Sequence, residues 1–374
     1  MNFEQTDDQT ALADSLHRWM DAEHGFETAV VRAHSSADPG MLPVFAELGW
    51  LGAALSEAEG GFGGGAPEAA IVGEAVGRAL VVEPWIPLAV QTPRTLLALA
   101  GEAARPRIEA LVSGERRLVP AVTETAGRGA PDWVETRAER DGDGWRLTGT
   151  KSLVLGAPLA DAFLVAARLE GAPGDRAGVA LFETPAQTEG LSLHPYRLVD
   201  RRAVADLDLA DVRLPAEALI GPAGGALEAI ELGCDHARLA LCAEILGAMD
   251  AALWMTRDYL RTREQFGRPI GDFQALQHRM AEMLVETELT RSMIFQGLAA
   301  LGRPPDARAK GIAATKAHVA RSGLFVGRQA IQLHGGMGMT EELKVGHLYR
   351  RIMANAGLLG DADLHVARYA EMMD

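Results

Sequence analysis

The stretch RTREQFGRPIGDFQALQHRMAEM, from Arg261 to Met283, decides the fold. It begins as the end of one helix and breaks at Gly267-Arg-Pro269-Ile-Gly271, where glycine and proline interrupt helical hydrogen bonding. Asp272 is the expected N-cap of a second helix, because its carboxylate can accept from the amides of the turn that opens at Phe273. Beyond it Phe273, Leu276, Met280, Met283 and Leu284 recur at helical spacing, which predicts one buried face. The product is a helical hairpin. Its polar content is unusual, since Arg263, Gln274, Gln277 and His278 sit among the apolar positions and burial alone does not require them.

Working outward, the chain is helical on the C-terminal side to its end and on the N-terminal side back to Pro222-Ala-Gly-Gly225. Leu227, Ile230, Leu239, Leu246, Met249 and Leu253 mark one long helix or a pair. Pro304-Pro305-Asp306 separates the hairpin from a further helix whose core residues include Ile312, Val319 and Leu324, and Trp254 and Met293 read as packing residues. Residues 119–225 change to period two: Val134–Arg140 and Trp145–Thr148 flank the hairpin signal Asp141-Gly142-Asp143-Gly144, and short runs near Ala162, Gly178, Leu191 and Ala205 continue the series. They predict a small antiparallel barrel or sandwich. Residues 1–118 read as helices, with Leu12, Leu16, Trp19 and Met20 as the first stripe and further helices over 41–53 and 67–80. The glycine-rich loop Glu57–Gly65 is either a flexible connection or a close approach of backbone to ligand. The fold class is α+β: an N-terminal helical domain over 1–118, a central antiparallel β-domain over 119–225 and a C-terminal four-helix bundle over 226–374.

The chain of 374 residues, 48% of them apolar, can build two or three domains with sizeable cores. Its net charge of -15 opposes wrapping of nucleic acid, whose phosphates need Lys and Arg, but leaves room for a local basic pocket on an anionic ligand. Cys234 and Cys242 lie in one helical stretch without CxxC spacing, which predicts neither a disulfide nor a metal site. The N-terminus has no basic start and no stretch reaches about 20 consecutive apolar residues, so no signal peptide and no membrane span are expected and the location is read as cytoplasmic.

The pattern R-x-x-F-G-x-P-I-x-x-F-Q-x-x-Q-H, starting at Arg263, resembles the signature of the acyl-CoA dehydrogenase family, flavoproteins that desaturate an acyl-CoA between its alpha and beta carbons. The resemblance continues at Gln332-Leu-His-Gly335-Gly336-Met-Gly338 and covers essentially the whole chain, in the family's order of helices, sheet domain and helical bundle. It implies an assembly in which each FAD lies between two subunits. The set one subunit supplies to its neighbour's FAD is present here as Arg263, Phe266, Gln332, Gly335 and Gly336. An arginine fork suits phosphate, and paired glycines let amides approach it, although Gly335-Gly336 alone also reads as a helix C-cap and turn.

Other family positions depart from the pattern. Ala121-Val122-Thr123-Glu124 resembles the start of the family's T-E-P-x-A-G-S-D segment but continues without its proline or serine. Where the family has W-I-T, whose threonine bonds the flavin, this chain has Leu153-Val154-Leu155, with no hydroxyl to offer. The family's glutamate base falls, by resemblance, at Ala356 or, in a minority pattern just before an arginine, at Ala237 before Arg238; both are alanine, so no catalytic residue is assigned. Asp235 and Asp361 are the nearest acids and are read as a solvated residue and the cap of the last helix.

The chain is therefore most similar to the small, base-lacking subunits of two-chain enzymes of the pimeloyl-CoA dehydrogenase type. That resemblance implies an FAD shared with a homologous large subunit carrying the glutamate, an alpha2-beta2 heterotetramer, an acyl-CoA substrate with a dicarboxylic, fatty or steroid side chain, and an electron-transfer acceptor. The alternatives are an autonomous flavoenzyme of the same fold using another base or an oxygenase reaction, and a structural acyl-CoA-binding protein.

Overall fold

The computed structural model describes residues 4–34 and 40–373. Its helices before the sheet are α1 (Asp7–Glu23), α2 (Phe26–His34), α3 (Leu42–Glu47), α4 (Ala66–Ala79), α5 (Thr92–Ala100) and α6 (Arg105–Val112). The strands β1 (Leu118–Ala121), β2 (Arg137–Asp141), β3 (Gly144–Leu155), β4 (Ala162–Arg168), β5 (Val179–Pro185), β6 (Leu191–Arg197), β7 (Ala203–Leu214) and β8 (Leu219–Ile220) follow. Then come α7 (Leu227–Thr262), the short pair β9 (Glu264–Gln265) and β10 (Arg268–Pro269), α8 (Gln274–Leu301), α9 (Pro305–His334), α10 (Lys344–Gly357) and α11 (Ala362–Glu371). The order of N-terminal helices, β-domain and C-terminal helices is the expected one. The last part holds five helices rather than four, and residues 227–262 form one helix rather than a pair.

Packing divides the chain into two compact units, one drawn from Met1–Arg32, Ala70–Val81 and Arg238–Asp374, the other from Ala33–Ala69 and Val82–Ala237. In the second, the sheet runs β6-β7-β3-β2-β4-β5-β8, with β1 on β4. It is mixed rather than purely antiparallel: β1 pairs parallel to β4, and Arg137 of β2 pairs parallel to Arg168. The reason is connectivity, because β1 and β4 are joined through residues 122–161, which include β2 and β3, and a parallel pairing needs such a long crossover rather than a tight turn. The hairpin at Asp141–Gly144 forms as expected, with Asp141 opposite Gly144 and Gly142 at φ 64°.

Two further expectations are corrected. The strand expected from Val134 starts only at Arg137, because the amides of Glu135 and Thr136 donate to the Glu124 carboxylate instead of a ladder. The helix expected over 41–53 stops at Glu47, followed by Gly49 in the left-handed region at φ 76°. The loop Glu57–Gly65 opens with one tight helical turn, and two of its glycines sit against backbone: a Cβ on Gly64 would lie 2.0 Å from the Ala53 carbonyl oxygen and one on Gly61 2.4 Å from that of Leu55.

In the first unit α7 is central. Leu239, Leu246, Met249 and Leu253 pack with Ile312, Val319 and Val326 of α9 and with Val345, Leu348 and Ile352 of α10. The helices α4 and α7 cross backbone to backbone, a Cβ on Gly247 falling 1.9 Å from the Glu74 carbonyl and one on Gly77 2.0 Å from that of Glu244. By length and composition α7 is apolar enough to cross a membrane, yet 78% of its most apolar window is buried, as in a core helix. The expected buried face of α8 holds at Met283, while Leu284 is exposed. Trp254, expected in the packing, is exposed too, its indole donating to Asp250 and covered by the Arg257 guanidinium.

Candidate functional site

The break in the helical hairpin is itself a small β-hairpin. Gln265 pairs with Arg268 across a two-residue turn, Phe266-Gly267, in which both residues have positive φ, 56° and 77°. That is the signature of a type I′ turn, and a phenylalanine there is strained by roughly 1–2 kcal/mol. The Phe266 ring is 90% exposed, touching Phe273 edge-on at 6.0 Å. The hairpin is tied back by the Ile270 amide, which donates to the Arg263 carbonyl, and by the Gln277 side chain, which donates to that of Gly271. This displaces the expected cap: Asp272 sits in a tight turn, Ile270–Asp272, and Phe273 is the N-cap residue of α8, with no side-chain bond.

The returning chain and the end of α9 border an open, solvent-facing cavity of about 710 Å³, lined by Arg263, Gln332, Gly335 and Gly336. Four of the five residues singled out in the sequence thus meet; Phe266 projects from the turn and does not line it. Gly335, at φ 59°, is the C-cap of α9, with its amide donating to the Gln332 carbonyl. Gly336 has no such duty, since a Cβ there would meet nothing within 4 Å. Tyr259 and His334 also line the cavity and stack at 4.5 Å, joining the end of α7 to the end of α9. The His334 Nδ1 lies 2.9 Å from the Ala330 carbonyl, and burial lowers its pKa, so this wall is a neutral aromatic pair.

The sequence reading missed Arg279, which projects from α8 into the same cavity. No aspartate or glutamate lines the cavity, and neither Arg263 nor Arg279 is ion-paired among the described residues. The arrangement suits an anion: guanidiniums for charge and, at Gly336, unobstructed backbone for close approach, with the Tyr259 ring beside them.

The segment around Leu153 is built differently. Glu124 is buried, and its carboxylate accepts from Lys151 Nζ at 2.5 Å, from the Thr136 hydroxyl at 2.7 Å and from the Glu135 and Thr136 amides. Burial would raise the Glu124 pKa, but the Lys151 ammonium and these donors outweigh it and hold it below the usual range. Next to this pair the β3–β7 register slips between Lys151 and Val154, and Leu153 takes φ 58°. The Leu153 amide donates to Asp206 Oδ1 at 2.8 Å, and the Tyr196 hydroxyl donates to the same oxygen at 2.9 Å. Burial and that bond raise the Tyr196 pKa to about 12. Asp206 was not legible in the sequence, because only the strand register brings it to Leu153.

The two alanine positions are both in tight packing. Ala356 is buried in the last turn of α10, and the fully buried Lys316 ammonium donates to its carbonyl at 3.1 Å and to that of Asn355 at 2.6 Å. Burial lowers the Lys316 pKa to about 8. Arg238 donates to the Leu359 carbonyl, and the Asn355 amide donates to the buried Glu244. Asp361 caps α11 through the Leu364 amide, as expected. Ala237 is fully buried on α7, and Asp235, expected to be solvated, is only 2% exposed. Among the described residues no group of His, Cys, Asp and Glu could hold a metal ion.

Three family models match in succession: the N-terminal domain of acyl-CoA dehydrogenases over residues 6–108, the middle domain over 120–212 and the C-terminal domain over 225–373. The acyl-CoA dehydrogenase FadE12 of Mycobacterium tuberculosis is 30% identical over 356 residues, covering 92% of this chain and 90% of that protein. The crystallised ChsE4-ChsE5 complex of the same organism is similar with a TM-score of 0.89 at 26% identity, covering 100% of this chain and 99% of the matched one. The Tcur3481-Tcur3483 steroid ACAD superposes with a TM-score of 0.86 at 30% identity, with 98% of each chain covered.

Proposed function

This chain belongs to the acyl-CoA dehydrogenase family of FAD-binding oxidoreductases, and on that premise we propose that it is the base-lacking small subunit of a two-chain enzyme, completing the FAD site of a homologous large subunit. The observation that carries the reading is the cavity. Arg263, Gln332, Gly335 and Gly336 line one acid-free space, while the positions where the family resemblance puts the base, 356 and 237, are alanine.

The fit to FAD is divided. The cavity offers the phosphate half of the dinucleotide two guanidiniums, an amide side chain and unobstructed glycine backbone. The segment that would face a flavin ring offers little, since the Leu153 amide is taken by Asp206 and Leu155 has no hydroxyl. Retention of the first set beside loss of the second is what a subunit needs when it binds the remote part of a neighbour's cofactor. The exposed Phe266 ring, fixed at the tip of a strained turn, supports contact with something outside this chain.

FAD, when bound, supplies the hydride acceptor for alpha,beta-desaturation of an acyl-CoA thioester. In this assignment Arg263 and Gln332 would hold and orient its phosphates, the proton-abstracting glutamate would come from the partner, and an electron-transfer acceptor would be needed to reoxidise the complex. Two-chain assembly is supported by similarity to the ChsE4-ChsE5 complex and to the Tcur3481-Tcur3483 steroid ACAD, and the latter supports a steroid side-chain thioester as one substrate class to test. The test is to co-express the chain with its homologous partner and compare wild type with Arg263→Ala. Assembly without flavin in the variant supports the reading, whereas full flavin in an assembled Arg263→Ala complex contradicts it.

A further inference from the structure

The proposed reading gives one cation, Arg263, to the phosphates, and the cavity holds a second. We infer that Arg279 binds the second phosphate of an adenosine pyrophosphate in this cavity, so that two arginines, from either side of the helical hairpin, meet the two charges of one diphosphate. The inference rests on the reading of the cavity as a phosphate site and adds to it a ligand that the family signature does not mark.

Charge is the first argument. In a chain of net charge -15, a cavity with two arginines and no carboxylate concentrates the opposite sign in one place. Both guanidiniums line one space, and a pyrophosphate diester carries one charge on each phosphate, so both can be matched. Donor supply is the second argument. Among the described residues the one hydrogen bond of the Arg279 side chain is from Nη1 to the neutral Gln329 Oε1, at 3.2 Å. That bond fixes the plane of the guanidinium without neutralising it and leaves four of its N–H groups for a ligand. Shape is the third. The half-buried Tyr259 ring lines the same cavity, backed on its other side by the buried His334 ring, and is the aromatic group a nucleobase could meet.

Adenosine pyrophosphate occurs in both FAD and coenzyme A, and the test separates the two. ADP and AMP are titrated calorimetrically, at high nucleotide concentration, into the full chain and into Arg279→Ala, Arg279→Lys and Arg263→Ala; Arg279 is exposed, and unchanged melting checks that each variant is folded. Arg279→Ala should weaken ADP by about ten- to a hundredfold, the effect of one charge-assisted hydrogen bond, and AMP much less, with Arg279→Lys between them. Competition against bound ADP then identifies the source: displacement by FAD alone assigns the flavin dinucleotide, and displacement by coenzyme A alone assigns the thioester carrier. Unchanged ADP affinity in Arg279→Ala together with loss in Arg263→Ala overturns the role of Arg279 and leaves the phosphate site standing. Unchanged ADP affinity in both Arg279→Ala and Arg263→Ala, with unchanged FAD content in the same variants co-expressed with the homologous partner, overturns both.

Discussion

The cavity at the ends of α7 and α9 and the bulge at Leu153 are both rich in polar groups, and they use them in opposite ways. At the bulge the named donors have acceptors in the chain: Lys151 and Thr136 on Glu124, the Leu153 amide and Tyr196 on Asp206. In the cavity two guanidiniums and the backbone around Gly336 face open space without a carboxylate. A region whose polar groups satisfy one another contributes to stability, and a region whose polar groups are left over is shaped for a ligand. The turn after α10 follows the first pattern, with Lys316 and Arg238 donating to main-chain carbonyls around Ala356.

The contrast breaks most visibly in the buried pair. Lys151→Met leaves the Glu124 carboxylate buried with no cation and should lower unfolding free energy by about 3–5 kcal/mol, measured by denaturant titration. A Lys151→Met, Glu124→Gln double variant should recover part of that loss, and equal loss in both would mean that the pair is not the source. Arg263→Ala should do the reverse: melting unchanged, and flavin or ADP affinity reduced by about 1.5–3 kcal/mol. If its melting point falls instead, the cavity is structural and the contrast fails.

Asp206→Ala is the next smaller effect. It leaves the Leu153 amide and the Tyr196 hydroxyl to water in place of their acceptor, at a cost of about 0.5–1 kcal/mol in stability. Spectrophotometric titration should show the Tyr196 pKa falling from about 12 part of the way back toward 10.0, since burial remains when the carboxylate has gone. A Tyr196 titration that does not move would place the hydrogen bond elsewhere.

A further effect is a slope with pH, small at neutral pH and growing on the acid side. Burial, reinforced by neighbouring cations, lowers the pKa of His24 from 6.5 to about 4 and that of His365 to about 2. Below pH 6.5 the unfolded chain therefore takes up protons that the folded chain refuses, and stability falls with falling pH. Each histidine contributes up to about 1.4 kcal/mol per pH unit, for His24 down to its folded pKa and for His365 below that. His365→Gln should flatten the slope measured between neutral pH and the acid side, and an unchanged slope would remove His365 from the account.

What the sequence made legible follows from how local each signal is. The hairpin break, the long helix and the Asp361 cap depend on residues within a few positions of each other, and all three are present. Arg263 and the Gln332–Gly336 run were readable as local motifs, although their meeting in one cavity depends on how α7, α8 and α9 pack. Arg279 was invisible because an arginine on a helix reads as a solvated side chain until a cavity is found beside it. The parallel placement of β1 on β4 and the Asp206–Leu153 bond rest on register between distant strands, which period-two alternation does not encode. The cap misread at Asp272 has a local cause: the β9–β10 hairpin and a tight turn absorb the residues that were expected to start α8.

The central claim is that this chain holds part of a partner's FAD and does not run a flavin site of its own. The most direct measurement is flavin content, by absorbance against protein mass, for the chain purified alone and again after co-expression with its homologous large subunit. The account predicts no retained flavin alone and about one FAD per pair of unlike chains in the complex. A full complement of FAD in the chain alone would contradict it.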